Sequence, residues 1–157
     1  DKYYKEALCE YVGYILENNM KYLYISSRID LVKNSTNLVR TIGSRWSWNI
    51  FKKYMNVAHV GSLHSLKLFK NFGLFDSKFK IAGDYELLLR IGNKLKAGFL
   101  DKTTGSMNIF GASNSSIKVF LETYKAKKKH TDRNTIFLTW EFIFGIVKWY
   151  FRRLLWY

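Results

Sequence analysis

At 157 residues the chain has room for one domain with a real core, since single domains cluster at roughly 100–150 residues. Hydrophobic residues make up 48% of it and aromatic residues 18%, which excludes a disordered polar chain. A formal charge of +14, from 26 Lys and Arg against 12 Asp and Glu, favours polyanionic partners: nucleic acid, an anionic membrane surface or phosphorylated substrates.

Part of that charge is compositional. Lys supplies 19 of the 26 basic residues, Asn, Ile, Phe and Tyr are plentiful and Pro is absent, the signature of an AT-rich coding sequence. The sign of the charge therefore carries more than its size. The first residue is Asp1, with neither an initiator Met nor a charged-then-apolar leader, so the expectation is a fragment with an upstream part missing. Cys9 is the one cysteine, which rules out an intrachain disulfide and a cysteine-built zinc site. Its helical setting predicts a buried, inert thiol, and a reducing compartment fits best.

Residues 2–19, KYYKEALCEYVGYILENN, set Tyr4, Leu8, Tyr11, Val12, Ile15 and Leu16 at helical spacing, and Asn18 with Asn19 ends the helix. KYLYISSRIDLV then reads as a strand, KNST as a turn and NLVRTI as a second strand broken by Gly43. An aromatic segment follows, then a short apolar stretch at 57–60 and a helix near 62–71 stopped by Gly73. The next helix is expected over 84–97, and GFLDKTTGSMNIFGASNSS reads as a short strand and a Gly/Ser/Asn loop. From about Ile117 the pattern is helical, with KAKKKH as a basic interruption. Helices alternating with strands make α/β the natural class. There is no internal repeat, and neither G-x-G-x-x-G nor a Walker motif occurs.

Asp84 opens its helix behind Gly83. An aspartate there usually caps, accepting a hydrogen bond from an orphaned backbone N–H, and the residues alone leave both a cap and a catalytic base open. Leu87, Leu88, Ile91 and Leu95 share one buried face. Glu86 and Arg90 form an i,i+4 pair in the favourable order on another face, read as a solvated pair worth a few tenths of a kcal/mol. His59 and His64 flank VGSL and read as core histidines; with His130 in a basic run, no spacing suits a histidine-built metal site. Asp76, in GLFDSKF, reads as a turn former.

The tail IFLTWEFIFGIVKWYFRRLLWY runs only 12 residues before Lys148 and contains Glu141. A bilayer span takes about 20 mostly apolar residues. Trp140, Trp149, Tyr150, Trp156 and Tyr157 are interface-seeking, and Lys125, Lys127, Lys128, Lys129, Arg152 and Arg153 add positive charge. Peripheral contact with a membrane surface is therefore expected, against the alternative of an ordinary core-packing helix.

AHVGSLHSLKLFKNFGLFDSKFKIAGDYELLLRIG followed by GSMNIFGASNSS resembles the family 2 glycosyltransferases of bacterial cell-surface polysaccharide synthesis. The matching residues are His59, Leu68, Phe69, Gly73, Phe75, Asp76, Ile81, Ala82, Asp84, Tyr85, Glu86, Arg90, Met107, Gly111 and Ser113. Val60 stands where the family usually has Gln, and Phe110 where it has one glycine of a pair.

The resemblance covers roughly residues 1–116. It implies the acceptor-side half of a GT-A-like fold at 1–116, with 117–157 a basic, aromatic, amphipathic helical tail. It implies a nucleotide-sugar donor, a glycan or lipid-linked acceptor, and Asp84 as the catalytic base that takes the acceptor's proton. His59, Tyr85, Glu86 and Arg90 become substrate-binding residues. Asp1 becomes the last carboxylate of a D-x-D loop for a divalent cation, Mg²⁺ or Mn²⁺, held mainly by upstream residues. The implied location is cytoplasmic, at the inner face of the membrane. The rival readings are a non-catalytic binding module or degenerate transferase remnant on anionic surfaces, and, on charge and aromatics alone, a nucleic-acid binder without a recognition motif.

Overall fold

YISSRIDLVK alternates too little to keep one wet face, and it becomes the central strand of a sheet. The computed structural model describes residues 1–34, 37–109 and 116–155, the side chains of residues 152, 153 and 155 excepted. Among the described residues there are five strands and six helices, a mixed α/β fold. Contacts group the chain into two compact units, Asp1–Leu74 with Ile91–Gly111, and Phe75–Arg90 with Ala112–Tyr157.

In the first unit β1 (Lys2–Tyr3), β2 (Tyr24–Lys33), β3 (Asn37–Ile42), β4 (Ser62–His64) and β5 (Ala97–Asn108) form one sheet. Its order is β1-β5-β2-β3, with β4 paired to β2. β2 and β5 run parallel, Tyr24 opposite Ala97 and Val32 opposite Asn108; the other pairs are antiparallel. Helix α1 (Ala7–Glu17) packs Tyr11 against Ile25 and Leu100, with Tyr14, Ile15, Tyr22 and Leu63 around them. The Tyr11 hydroxyl donates to the Gly61 carbonyl, which also accepts from Ser27 Oγ at 3.0 Å. Gly61 is required there, because a Cβ would sit 2.6 Å from Ser27 Oγ and 2.5 Å from Ile29 Cδ1.

Several sequence expectations are corrected. The helix expected over 2–19 is shorter, because Lys2 and Tyr3 pair with Ser106 and Gly105 on β5. Its buried face is Ala7 and Tyr11, whereas Leu8, Val12 and Leu16 are exposed. Cys9 is exposed and free, not buried. The helix expected from 62 begins as β4, and α3 (Leu66–Phe72) starts only after Ser65, whose Oγ accepts from the Leu68 N–H. A short α2 (Trp48–Phe51) lies in the aromatic segment. Gly43 and Gly73 end their elements as expected.

The second unit is helical. It holds most of α4 (Gly83–Ile91), together with α5 (Lys118–His130) and α6 (Thr135–Leu155). The helix expected over 84–97 stops at Ile91. A 3₁₀ turn (Gly92–Lys94) follows, opened by Gly92 at φ +62°, and β5 begins at Ala97 and runs 12 residues, not a few. KAKKKH does not interrupt α5 but completes it, where cations meet the negative helix end. The break comes at Thr131–Asn134, and Asn134 caps α6 by accepting the Ile136 N–H at 2.8 Å. Tyr124 packs on Phe142, ring centroids 5.6 Å apart, and Phe120 packs on Gly145. Phe110, Gly111, Ser113, Trp156, Tyr157 and the Arg152 and Arg153 side chains lie outside the described residues.

Candidate active site

The segment leading to Asp84 is fixed by carboxylates at both ends. Asp76 accepts the Lys78 N–H at 3.0 Å through Oδ1, and its carbonyl accepts the Phe79 N–H, the expected turn. That backbone bond holds the Asp76 carboxyl below its ordinary range, with Lys129, Lys78 and Arg90 adding to it. Four residues on, Lys80, Ile81 and Ala82 all donate their N–H groups to Glu122 of α5, at 3.1, 2.8 and 2.8 Å. Burial works against the Glu122 charge, but the N–H groups of Ala82, Ile81 and Lys80 outweigh it and keep the carboxyl low.

The Ala82 carbonyl accepts the Glu86 N–H, which makes Ala82 the residue from which α4 springs. Asp84 lies one step inside the first turn, half-buried, with Oδ1 accepting the Tyr85 N–H at 2.7 Å. A carboxylate in that turn is favoured by the positive helix end. Glu122 thus anchors the backbone at Ala82, two residues before Asp84.

Tyr85 is buried, and burial, with Glu141 nearby, raises its phenol far above the usual range. Its hydroxyl therefore keeps its proton at neutral pH. Glu86 is corrected most. The pair with Arg90 forms, Nη2 to Oε2 at 2.8 Å, but Glu86 has no exposed surface. Its other oxygen lies 2.7 Å from His130 Nε2, so the ring N–H donates to it. Glu86 is a buried strut between Arg90 and the end of α5, not a solvated ion pair.

His59 and Asp1 belong to the first unit. The His59 carbonyl accepts from Ser62 Oγ at 2.6 Å, and its ring meets His64 edge-on at 5.3 Å. His64 lies between Tyr24 and Phe69, and burial, then the neighbouring His59, lowers it to about 4. Both histidines are half-buried, so the core reading holds only in part. Asp1 is exposed, and among the described residues no group of three His, Cys, Asp or Glu could hold a metal. One exposed carboxylate is a single ligand and not a cation site.

Sequence reasoning missed Glu122 and His130. Glu122 carried one legible signal: it is the lone carboxylate in a helix otherwise rich in Lys. His130 gave none, because its partner lies 44 residues away. A scan against protein-family models and a search of curated proteins both return no match.

Proposed function

We propose that the chain is the acceptor-side half of a GT-A-type, family 2 glycosyltransferase, passing a sugar from a nucleotide-sugar donor to a glycan or lipid-linked acceptor in cell-surface polysaccharide synthesis. The observation that carries the reading is the hydrogen-bonded mounting of Asp84. It stands in the first turn of α4, half-buried, two residues after a backbone stretch pinned by Glu122, within the stretch that resembles the family. Such a carboxylate accepts the acceptor hydroxyl's proton as the new oxygen–carbon bond forms at the anomeric carbon. On the opposite face the bond to the nucleoside diphosphate breaks with inversion. A hydroxyl becomes acidic only as that bond forms, so moderate basicity suffices.

The reading assigns the donor contacts and most ligands of the Mg²⁺ or Mn²⁺ ion to residues other than these, with Asp1 as one ligand. The cation would neutralise the departing diphosphate. It also places the enzyme in the cytoplasm, peripheral at the inner face of the membrane, an arrangement supported by the apolar outer face of α6. That same face is what favours the second reading, a non-catalytic module binding anionic surfaces.

The test is Asp84→Asn in a polypeptide that also contains the nucleotide-binding half. The amide keeps the size and a carbonyl oxygen for the Tyr85 N–H, so stability should fall by about 1 kcal/mol or less. Transfer should fall roughly 10²–10⁴-fold with donor binding unchanged. Near-normal turnover in a folded Asp84→Asn protein would leave Asp84 a helix-start carboxylate and remove its role as the base, whereas no transfer by the unsubstituted protein would remove the enzymatic reading.

A further inference from the structure

Lys118, Leu121, Glu122, Lys125 and Lys129 fall at spacings of three, four and seven residues, so α5 lines them along one face. With Lys78 and Phe79 of the segment before α4 they enclose a groove of about 440 Å³. Two carboxylates border it, and both are already engaged. Asp76 holds the Lys78 N–H and faces Lys129 Nζ at 3.7 Å, while Glu122 accepts three backbone N–H groups; Lys78 also acts on the first carboxylate and Lys125 on the second, at longer range. Among the described residues no ion pair involves Lys78, Lys118 or Lys125.

Four ammonium groups against two carboxylates leave the groove net positive, and lysines four apart on a helix repel. A bound anion would relieve that repulsion. The groove floor is not all charge, since Phe79 and Leu121 supply apolar surface beside the lysines. Flexible point-charge donors around a partly apolar floor suit a phosphate joined to something less polar.

We propose that this groove is a binding site for a phosphomonoester or diphosphate group. Binding stands by itself; only the step that makes the bound phosphate part of the sugar acceptor rests on the transferase reading. In that case the site lies beside the base, because the same Glu122 that borders the groove holds the Ala82 amide two residues before Asp84.

The test needs no sugar transfer. The chain is titrated with inorganic pyrophosphate by calorimetry, and separately with phosphatidylcholine vesicles doped either with phosphatidic acid or with phosphatidylserine. Lys118→Ala/Lys125→Ala is compared with Lys67→Ala/Lys70→Ala, which removes the same charge from α3 in the other unit. The expected result is saturable pyrophosphate binding that weakens at least about tenfold in the groove variant and is unchanged in the control. A lipid source would instead show as preference for phosphatidic acid over phosphatidylserine, lost in the same variant. Equal loss in both variants, or no saturable binding to either phosphate probe, would overturn the site. All the substituted lysines are exposed, so both variants should fold.

Discussion

A carboxylate with no exposed surface has to be paired and hydrogen-bonded at once, and Glu86 meets this with Arg90 on its own helix and His130 at the end of α5. Its neighbour Asp84 is half-buried and satisfied locally by the Tyr85 N–H. The two carboxylates therefore separate in what they do. Asp84→Asn should spare the fold. Glu86→Gln should not, because it leaves a cationic Arg90 facing a neutral amide in a largely buried setting. The expected loss is about 3 kcal/mol, at the lower end for breaking a buried pair because Arg90 keeps some solvent contact. For a chain of this size that lowers the melting temperature by roughly 10 °C. Thermal unfolding of the two variants side by side checks it, and an unchanged midpoint for Glu86→Gln would make the strut energetically idle.

α5 works at both ends of the segment bearing Asp84: Glu122 grips the backbone before α4, and His130 grips Glu86 within it. α6 packs on α5 through Phe142 against Tyr124 and Gly145 against Phe120. Its one acidic residue, Glu141, is held by Arg133 and by Lys127 Nζ at 3.0 Å. The one acidic charge of the helix is thus paired with two cations. Ile136, Phe137, Trp140, Ile143, Phe144 and Val147 lie exposed along one stripe, continued by Tyr150, Phe151 and Leu154. No helix of the described residues is long and apolar enough to cross a membrane. A one-sided stripe of this kind, in a helix carrying exposed Lys148, suits the plane of an anionic interface. Phe144→Glu should weaken partition onto anionic vesicles by about tenfold or more, the scale set by burying one large apolar side chain. Wild-type binding should loosen as salt rises, because part of the attraction is screened. Co-sedimentation measures both, and equal binding by Phe144→Glu would leave α6 with no lipid-facing role.

At the scale of the whole molecule, stability should depend on acid through His64. Its folded value of about 4 lies below the ordinary 6.5, so the unfolded chain binds a proton first as pH falls. The His64 contribution is complete above about pH 6.5 and shrinks as pH drops toward 4, below which it no longer changes. The loss is about 2 kcal/mol, reduced from the full linkage value because the ring keeps partial solvent access. Denaturant unfolding between pH 7 and pH 4 measures the slope. His64→Phe, which keeps an aromatic ring beside Phe69, should flatten it; an identical slope in that variant would assign the acid sensitivity elsewhere.

What the sequence determined is what local geometry can encode. The alternation of helix and strand, the stop at Gly43, the turn at Asp76 and the burial of Leu87, Leu88 and Ile91 all follow from spacing and from single residues with narrow conformational preferences, whereas Leu95 is buried beyond the end of that helix. What only the tertiary structure decided is which side of an element meets a partner. α1 carries two apolar stripes of equal period, and the Tyr11 hydroxyl on the Gly61 carbonyl selects one, leaving Leu8, Val12 and Leu16 outside. Glu86 looks solvated beside Arg90 until His130, 44 residues on, closes over it. Glu122 reaches the amides of 80–82 across about as much chain, 40 to 42 residues. Periodicity reports the geometry of neighbours along the chain, whereas the mounting of the segment that bears Asp84 depends on a carboxylate, Glu122, and a histidine, His130, brought to it by folding.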